Sequence, residues 1–166
     1  MIEQLTLPVS DNDIRDLAIL LLDATAAGAS VGFLDSTTLE EATEWWRQSL
    51  SGRTILLVAR DDDGIIGSVQ LRPAPMPNQR HRADIAKLLV HRRARRQGLG
   101  AKLMQEIERI ARSAGFTLLV LDTKRGDAAE MLYRRAGWIE VGVIPGYALN
   151  PDASLCDTVV FYKVLS

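Results

Sequence analysis

The sequence of 166 residues has little of several features that mark specialised classes of protein. Its one cysteine, Cys156, excludes an internal disulfide and a paired-cysteine metal or redox site. The longest purely apolar run, Leu17–Leu22, is far too short to span a bilayer. The formal net charge is only −1, whereas nucleic-acid-binding domains are usually basic overall, so we expect neither a nucleic-acid nor a membrane partner.

What remains is the composition of an ordinary globular protein, with 47% hydrophobic and 25% charged residues. A chain of this length is predicted to form a single domain over residues 1–166. The first residues, Met1–Pro8, have neither the basic region nor the apolar core of a secretion signal, so we expect a cytoplasmic location. Whether the protein is a monomer or a homodimer stays open.

The positive charge is concentrated in one segment, Arg80–Gly100, whose only acid is Asp84. Its basic residues are Arg80, Arg82, Lys87, Arg92, Arg93, Arg95 and Arg96. A local cationic segment in a nearly neutral protein indicates a small polyanionic ligand.

Hydrophobic periodicity and turn residues predict strands and helices along the whole chain. The predicted strands are Ile2–Leu7, Arg53–Arg60, Ile65–Arg72, Ala83–Val90, Phe116–Leu121, Trp138–Val143 and Thr158–Val164. The predicted helices begin near Ser10, Thr38, Leu99 and Asp127 and end before Gly28, Gly52, Gly115 and Gly137. The acidic run before Gly64 predicts a hairpin turn, the proline-rich Arg72–Pro77 predicts a loop, and Ala83–Asp122 predicts a right-handed parallel strand–helix–strand unit.

The most informative segment is the turn Arg95-Arg-Gln-Gly-Leu-Gly100, which joins a predicted strand to a predicted helix. A helix N-terminus offers free N–H groups and the positive end of the helix dipole to an anion. Gly98 and Gly100 remove side chains from the path of a pyrophosphate, and Arg95 and Arg96 add charged donors. The spacing is neither the dinucleotide fingerprint nor the P-loop. The alternative is a plain turn whose arginines are solvated.

Two patterns together carry a resemblance to a known family. Arg95-x-x-Gly98-x-Gly100 follows a strand, and Ala129-x-x-x-Tyr133-x-x-x-Gly137-Trp138 lies on a late helix. In this order and spacing they resemble the GNAT superfamily of N-acetyltransferases. The resemblance implies an α/β (α+β) fold: a mixed, mostly antiparallel sheet of about seven strands, with helices on both faces and a central parallel β-α-β unit.

The resemblance also implies that the acetyl donor is acetyl-CoA, bound as a co-substrate without a metal. Its pantetheine arm is expected along the strand residues Leu88, Leu89 and Val90. Its pyrophosphate is expected on the turn residues Arg95, Arg96, Gln97, Gly98, Leu99, Gly100 and Ala101.

Three residues are the predicted catalytic groups. Tyr133 is expected to protonate the leaving thiolate, because a phenol stays protonated at neutral pH; the alternative is an ordinary core tyrosine. Asp84, predicted to share a strand face with Ala86, Leu88 and Val90, and Asp122, at a strand end, are expected to take the proton of the amine directly or through water, or to bind the ammonium. A salt bridge is the alternative for Asp84, and a cap or loop hydrogen bond is the alternative for Asp122.

Other residues with chemical potential are interpreted as structural. His81 and His91 lack metal-ligand spacing and an evident carboxylate partner, so we expect solvated loop histidines. Cys156 is not needed for direct transfer. Trp45 and Trp46 are interpreted as helix packing and surface rather than a ligand cage.

The stretches Gly28–Phe33, Arg82–Leu89, Leu121–Thr123 and Pro145–Tyr147, with Pro151 and Asp152, are similar to GNAT enzymes that inactivate a dipeptide toxin. This similarity implies a small acceptor, a primary amine of an amino acid or dipeptide-like compound, bound by Phe33, Asp84, Asp122 and Tyr147. Three alternatives stay open: a protein N-terminal or lysine acetyltransferase, a non-catalytic acyl-CoA sensor, and nucleic-acid binding through His91–Arg96.

Overall fold

A computed structural model describes residues 1–50 and 52–166, which form one seven-stranded sheet in the order β1-β2-β3-β4-β5-β7-β6. The strands are β1 (Ile2–Gln4), β2 (Ile55–Asp61), β3 (Gly64–Pro73), β4 (Arg82–Val90), β5 (Leu118–Lys124), β6 (Ile139–Leu149) and β7 (Leu155–Val164). The helices are α1 (Asp11–Ala26), α2 (Leu39–Ser49), α3 (Leu99–Ser113) and α4 (Ala128–Arg135). Only the β4–β5 pair is parallel, so the predicted mixed, mostly antiparallel fold is confirmed.

The sheet is covered on both faces because side chains alternate along its strands. On β2, Leu57 and Ala59 belong to the core beneath α3 and α4, whereas Leu56 and Val58 belong to the core beneath α1 and α2. We call these the α3 face and the α1 face of the sheet.

The helix starts follow the sequence closely. The Ser10 hydroxyl accepts a hydrogen bond from the Asp13 N–H at 3.1 Å, and Thr38 forms a full capping box with Glu41. Both arrangements satisfy N–H groups that have no partner inside the helix.

Several strand boundaries differ from the prediction, and the difference at β5 affects the site. The Phe116 N–H donates to the Ala111 carbonyl as part of the end of α3, so β5 begins only at Leu118. β5 also continues beyond Leu121 to Lys124, so Asp122 lies within the strand, paired with Val160, rather than after it. β3 also extends to Pro73, where a proline is tolerated at the end of a strand.

A β-bulge in β4 overturns one prediction. Lys87 has a φ of +52°, and the pairing of β3 with β4 shifts register beside it. The extra residue reverses the alternation, so Leu88 packs in the core of the α3 face whereas Leu89 packs in the core of the α1 face. The prediction that Asp84 shares a face with Leu88 and Val90 is wrong, because it assumed an unbroken strand.

Among residues 1–50 and 52–166, no helix has the length and apolar character needed to cross a membrane. Those residues also hold no cluster of three or more side chains suited to binding a metal ion.

Candidate active site

The central feature of the site is an opening between the two parallel strands. β4 and β5 pair only where Arg82–Asp84 meet Leu118–Val120. Beyond that point β4 continues to Val90 and β5 to Lys124, without further pairing between them in the described residues. Strand edges that separate in this way leave backbone groups for an extended ligand to bind.

A turn at the start of α3 lies at the end of β4. It contains a short 3₁₀ segment, Arg92–Ala94, and Gly98 adopts a left-handed conformation with φ of +76° immediately before the helix. The N-cap residue is Gly98 itself, which has no side chain to cap this N-terminus. A Cβ placed on Gly98 would meet only open space. The first turn of α3 therefore leaves its N–H groups free to bind an anion.

Gly98 and Gly100 lack a side chain for different structural reasons. A Cβ on Gly100 would lie 3.1 Å from the Leu132 side chain on α4 and 3.7 Å from Val90. Gly100 thus allows close packing inside the protein, whereas Gly98 supplies the backbone conformation and leaves the outer surface of the turn clear.

Carboxylates on other elements hold the turn in place. The buried Asp23 of α1 accepts from the Arg92 backbone N–H at 2.9 Å and from the Arg92 guanidinium. Arg93 forms a two-bond ion pair with Asp61, with its Nη2 2.9 Å from Oδ1. The prediction of a solvated His91 is wrong, because its ring is largely buried, with Nε2 3.7 Å from Asp23.

The other residues predicted to bind the pyrophosphate of acetyl-CoA differ in whether their side chains already bond to the protein itself. The Arg95 Nε donates to the Val90 carbonyl at 2.9 Å, and Gln97 donates to the Arg93 carbonyl at 3.1 Å. Arg96 is exposed and has no ion-pair partner among the described residues, which leaves its guanidinium available to a ligand.

Tyr133 lies on α4, on the α3 face, and is 5% exposed. Its ring packs against Trp138 and Phe161 at centroid distances of 6.0 and 6.1 Å. Its hydroxyl has no hydrogen-bond partner among residues 1–50 and 52–166. Burial raises the pKa of Tyr133 well above its ordinary value, and the negative charge of Asp122 raises it further. The phenol is therefore neutral, free to donate a proton, and within the electric field of Asp122.

The two predicted carboxylates lie on the α1 face, beside the opening. Asp84 is level with Val120 of β5, and Asp122 follows two residues later on the same face. The Arg82 Nη1 lies 2.5 Å from the Asp84 carboxylate, so Asp84 has the salt bridge that the sequence left as its alternative. Asp122 is exposed and accepts a hydrogen bond from the Thr158 hydroxyl at 3.2 Å. Of the two, Asp122 has the carboxylate without an ion-pair partner in the described chain.

The connection between α1 and α2 passes over this face and is tied down at several points. Lys124 of β5 donates to the Gly28 carbonyl at 3.3 Å, and Ser30 donates to the Leu149 carbonyl at 2.9 Å. The Asp35 N–H donates to the Pro151 carbonyl at 2.9 Å. These bonds join two of the stretches that the sequence singled out, near Gly28 and near Pro151.

The two predicted aromatic residues are placed differently. Phe33 packs edge-on against Trp45 with a centroid distance of 5.3 Å, close to Lys87. Tyr147 is exposed on β6, at the edge of the sheet, and no aromatic contact or hydrogen bond within the described residues joins it to Phe33. Phe33 therefore lies beside Trp45 and Lys87 on the α1 face, whereas the role of Tyr147 in binding the acceptor stays a prediction.

Sequence reasoning missed a cluster of residues on the α1 face, which we call the Trp45 cluster: Arg72, Lys87, Trp45 and Gln70. The Lys87 Nζ lies 4.7 Å and the Arg72 guanidinium 5.8 Å from the Trp45 ring centroid. Burial, together with the charge of Arg72, lowers the pKa of Lys87 to about 8. The one available signal was a lysine inside an otherwise apolar run, Ile85–Leu89.

A family model described as "Acetyltransferase (GNAT) family" matches residues 21–138. An uncharacterized N-acetyltransferase encoded in the hisH–hisA intergenic region of Azospirillum brasilense is 34% identical over 115 residues, which cover 68% of each chain.

Solved structures show the same fold. The ribosomal-protein-alanine N-acetyltransferase of Brucella melitensis superposes with a TM-score of 0.81 at 23% identity, with 99% of each chain covered. The putative acetyltransferase yncA of Salmonella typhimurium, solved with acetyl-CoA, superposes with a TM-score of 0.78 at 18% identity, covering all of this chain and 94% of that one.

Proposed function

This chain belongs to the GNAT acetyltransferase family and is an acetyl-CoA-dependent N-acetyltransferase, and from that premise we propose that its acceptor is the primary amine of a small amino acid or dipeptide-like compound. The observation that carries this proposal is the opening between β4 and β5, which has an uncapped helix at one end and a carboxylate-lined face beside it.

The donor fits the described residues at two places. The free N–H groups ahead of α3, with Arg95 and Arg96, match the charge of a pyrophosphate. The separated edge of β4 over Leu88, Leu89 and Val90 matches the extended, amide-bearing arm of coenzyme A. When bound, acetyl-CoA supplies a thioester carbonyl that an amine attacks and a thiolate that leaves.

Two side chains of this protein then each transfer one proton. Asp122 holds the acceptor ammonium and takes its proton, directly or through a water molecule, so that the nitrogen lone pair becomes available. We assign this role to Asp122 ahead of Asp84, because Arg82 already neutralises Asp84. Tyr133 donates its phenolic proton to the sulfur as the carbon–sulfur bond breaks.

Within this class of acceptor, a toxin or antibiotic carrying an amino-acid-like amine is the proposed natural substrate. The support is the similarity of Gly28–Phe33 and Pro145–Asp152 to the tabtoxin resistance protein. The hydrogen bonds that join these two stretches across the α1 face agree with a shared acceptor-binding role.

A thiol-release assay with acetyl-CoA tests the proposal against amino acids, dipeptides, polyamines, aminoglycosides and peptides, with mass spectrometry of the products. We expect amino acids or dipeptides to be the preferred acceptors. Preference for peptides would favour a protein acetyltransferase. Stabilisation by coenzyme A without any product would favour an acyl-CoA sensor.

Matched substitutions test the assignment of the base. Asp122→Asn is expected to lower kcat/KM by about a hundredfold or more, because a general base contributes at least that much. Asp84→Asn is expected to have a smaller effect on kcat. The reverse order of effects would move the role to Asp84.

A further inference from the structure

Two partly buried cations on the α1 face form no ion pair within the described residues, and this is the unexplained feature of the site. Arg72 is about half buried and Lys87 more deeply buried, but neither forms an ion pair with any residue of the described chain. Arg92 and Arg93, in contrast, pair with Asp23 and Asp61. Unpaired charge inside a protein is costly, and paired charge is the rule.

Within the described residues, the side-chain hydrogen bonds of these two cations go to neutral oxygens. The Arg72 Nε donates to the Gln70 side-chain carbonyl at 2.8 Å, and the Lys87 Nζ donates to the Val31 carbonyl at 2.6 Å. The nearest acid to Arg72 across the strands, Asp84, is turned to Arg82. Each cation is thus held in position but keeps N–H groups without a partner.

Trp45 brings the two cations together. Both lie against its ring, and Phe33 closes another side of the Lys87 ammonium at 5.5 Å. Burial lowers the pKa of both groups, and the charge of Arg72 lowers the pKa of Lys87 further, while Asp84 acts in the opposite direction on Arg72 and Asp122 on Lys87. An anion bound between them would relieve the repulsion as well as fill the free N–H groups.

We propose that Arg72 and Lys87 bind a carboxylate of the acceptor beside Trp45, so that the enzyme selects amines that also carry a carboxylate. The inference rests on the proposed function, because it assigns one part of the same acceptor site. Asp122 on β5 receives the ammonium, and the cations on β3 and β4 receive the carboxylate, which matches the two charges of a free amino acid.

A matched pair of acceptors tests the subsite: L-methionine and L-methioninamide, which share the side chain and differ in the carboxylate. The readout is the ratio of kcat/KM for the acid to kcat/KM for the amide, measured in the wild type, Arg72→Gln and Lys87→Gln. Comparing this ratio between variants cancels the different basicity of the two amines. The control is Arg80→Gln, which removes the same charge from an exposed position between β3 and β4.

We expect each substitution in the Trp45 cluster to lower this ratio by about tenfold or more, because a hydrogen-bonded charge contact contributes that much. Arg80→Gln should leave the ratio unchanged. Equal losses for acid and amide, or no loss for either, would overturn the subsite while leaving the acetyltransferase proposal intact.

A binding measurement keeps the inference testable if neither acceptor is acetylated. N-acetylmethionine and N-acetylmethioninamide are titrated into the protein by calorimetry in the presence of coenzyme A. Tighter binding of the acid that is lost in Arg72→Gln supports the subsite even where the proposed acceptor class fails. Equal binding of the two compounds overturns it.

Discussion

Two regions of the site, the turn before α3 and the Trp45 cluster, differ in whether their positive charges are paired with carboxylates. At the turn before α3, Arg92 and Arg93 are paired with carboxylates from distant elements, Asp23 of α1 and Asp61 of β2, whereas Arg96 is exposed to solvent. In the Trp45 cluster, Arg72 and Lys87 are more buried but have no such partner in the described chain.

This difference in pairing indicates two roles for the cations: the paired arginines stabilise the fold of the turn, and the unpaired cations are available to bind a ligand. A paired arginine fixes the path of the turn, so the helix N–H groups are set in place before a donor arrives. An unpaired buried cation contributes nothing comparable to folding and lowers stability unless a ligand neutralises it. Preorganised, unsatisfied groups of this kind are typical of functional sites.

The largest expected effect concerns Tyr133, which lies on the α3 face and belongs to neither charged group. Tyr133→Phe keeps the ring packed on Trp138 and Phe161 but removes the phenolic proton. We expect kcat to fall by about a hundredfold to ten-thousandfold, with little change in either KM. Steady-state kinetics for both substrates, with thermal unfolding to verify the fold, provide the measurement. Full turnover in this variant would return Tyr133 to the role of an ordinary core residue.

Lys87→Met tests whether the charge of Lys87 in the Trp45 cluster lowers the stability of the folded protein when no ligand is bound. The pKa of folded Lys87 is about 8, below its ordinary 10.5, so the unfolded chain binds more protons between these pH values. The free energy of unfolding of the wild type should therefore rise across this window, relative to the variant, by about 3 kcal/mol. Urea unfolding of both proteins from pH 7 to 10.5 measures the difference. A difference independent of pH would contradict the cost of burial that we assign to this lysine.

Asp23→Asn is the opposite case, because it removes a charge that is already satisfied. The buried carboxylate accepts two hydrogen bonds from Arg92, so we expect the free energy of unfolding to fall by about 2 kcal/mol. The KM for acetyl-CoA should also rise, since the turn loses its anchor on α1, whereas the KM for the acceptor should not. Asp62→Asn, an exposed acid in a hairpin turn, is the matched control. A rise in the KM for the acceptor alone would contradict the assignment of Asp23 to the part of the site that binds acetyl-CoA.

The sequence predicted the local structure of the turn before α3 far better than the arrangement of the Trp45 cluster, for a physical reason. The turn from Arg95 to Gly100 is local, and its glycines and arginines are adjacent in the chain. Helix starts at Ser10 and Thr38 were likewise predictable, because a cap is a short-range contact.

The Trp45 cluster, in contrast, is assembled from α2, β3 and β4, and depends on the bulge at Lys87. An alternating pattern cannot reveal a bulge, so the face of each residue after Lys87 was predicted wrongly. The hydrogen bond between Lys87 and Val31 links residues far apart in the chain, and no local pattern records it. The pairing of Asp84 with Arg82 was foreseen as an alternative, because the two residues are neighbours on one strand.

The smallest expected effects distinguish the two glycines of the donor turn. Gly98→Ala places a Cβ in open space and imposes a left-handed conformation on alanine, which should lower the free energy of unfolding by about 1 kcal/mol. Because that Cβ stands on the outer surface of the turn, the KM for acetyl-CoA should rise several-fold. Gly100→Ala instead directs its Cβ toward Leu132, 3.1 Å away, inside the protein. Kinetics and urea unfolding of the two variants should therefore show a change in donor KM for Gly98→Ala alone. An equal rise in the KM for acetyl-CoA in both variants would mean that acetyl-CoA also contacts the helix at Gly100. Packing against Leu132 would then not be the reason for a glycine at position 100.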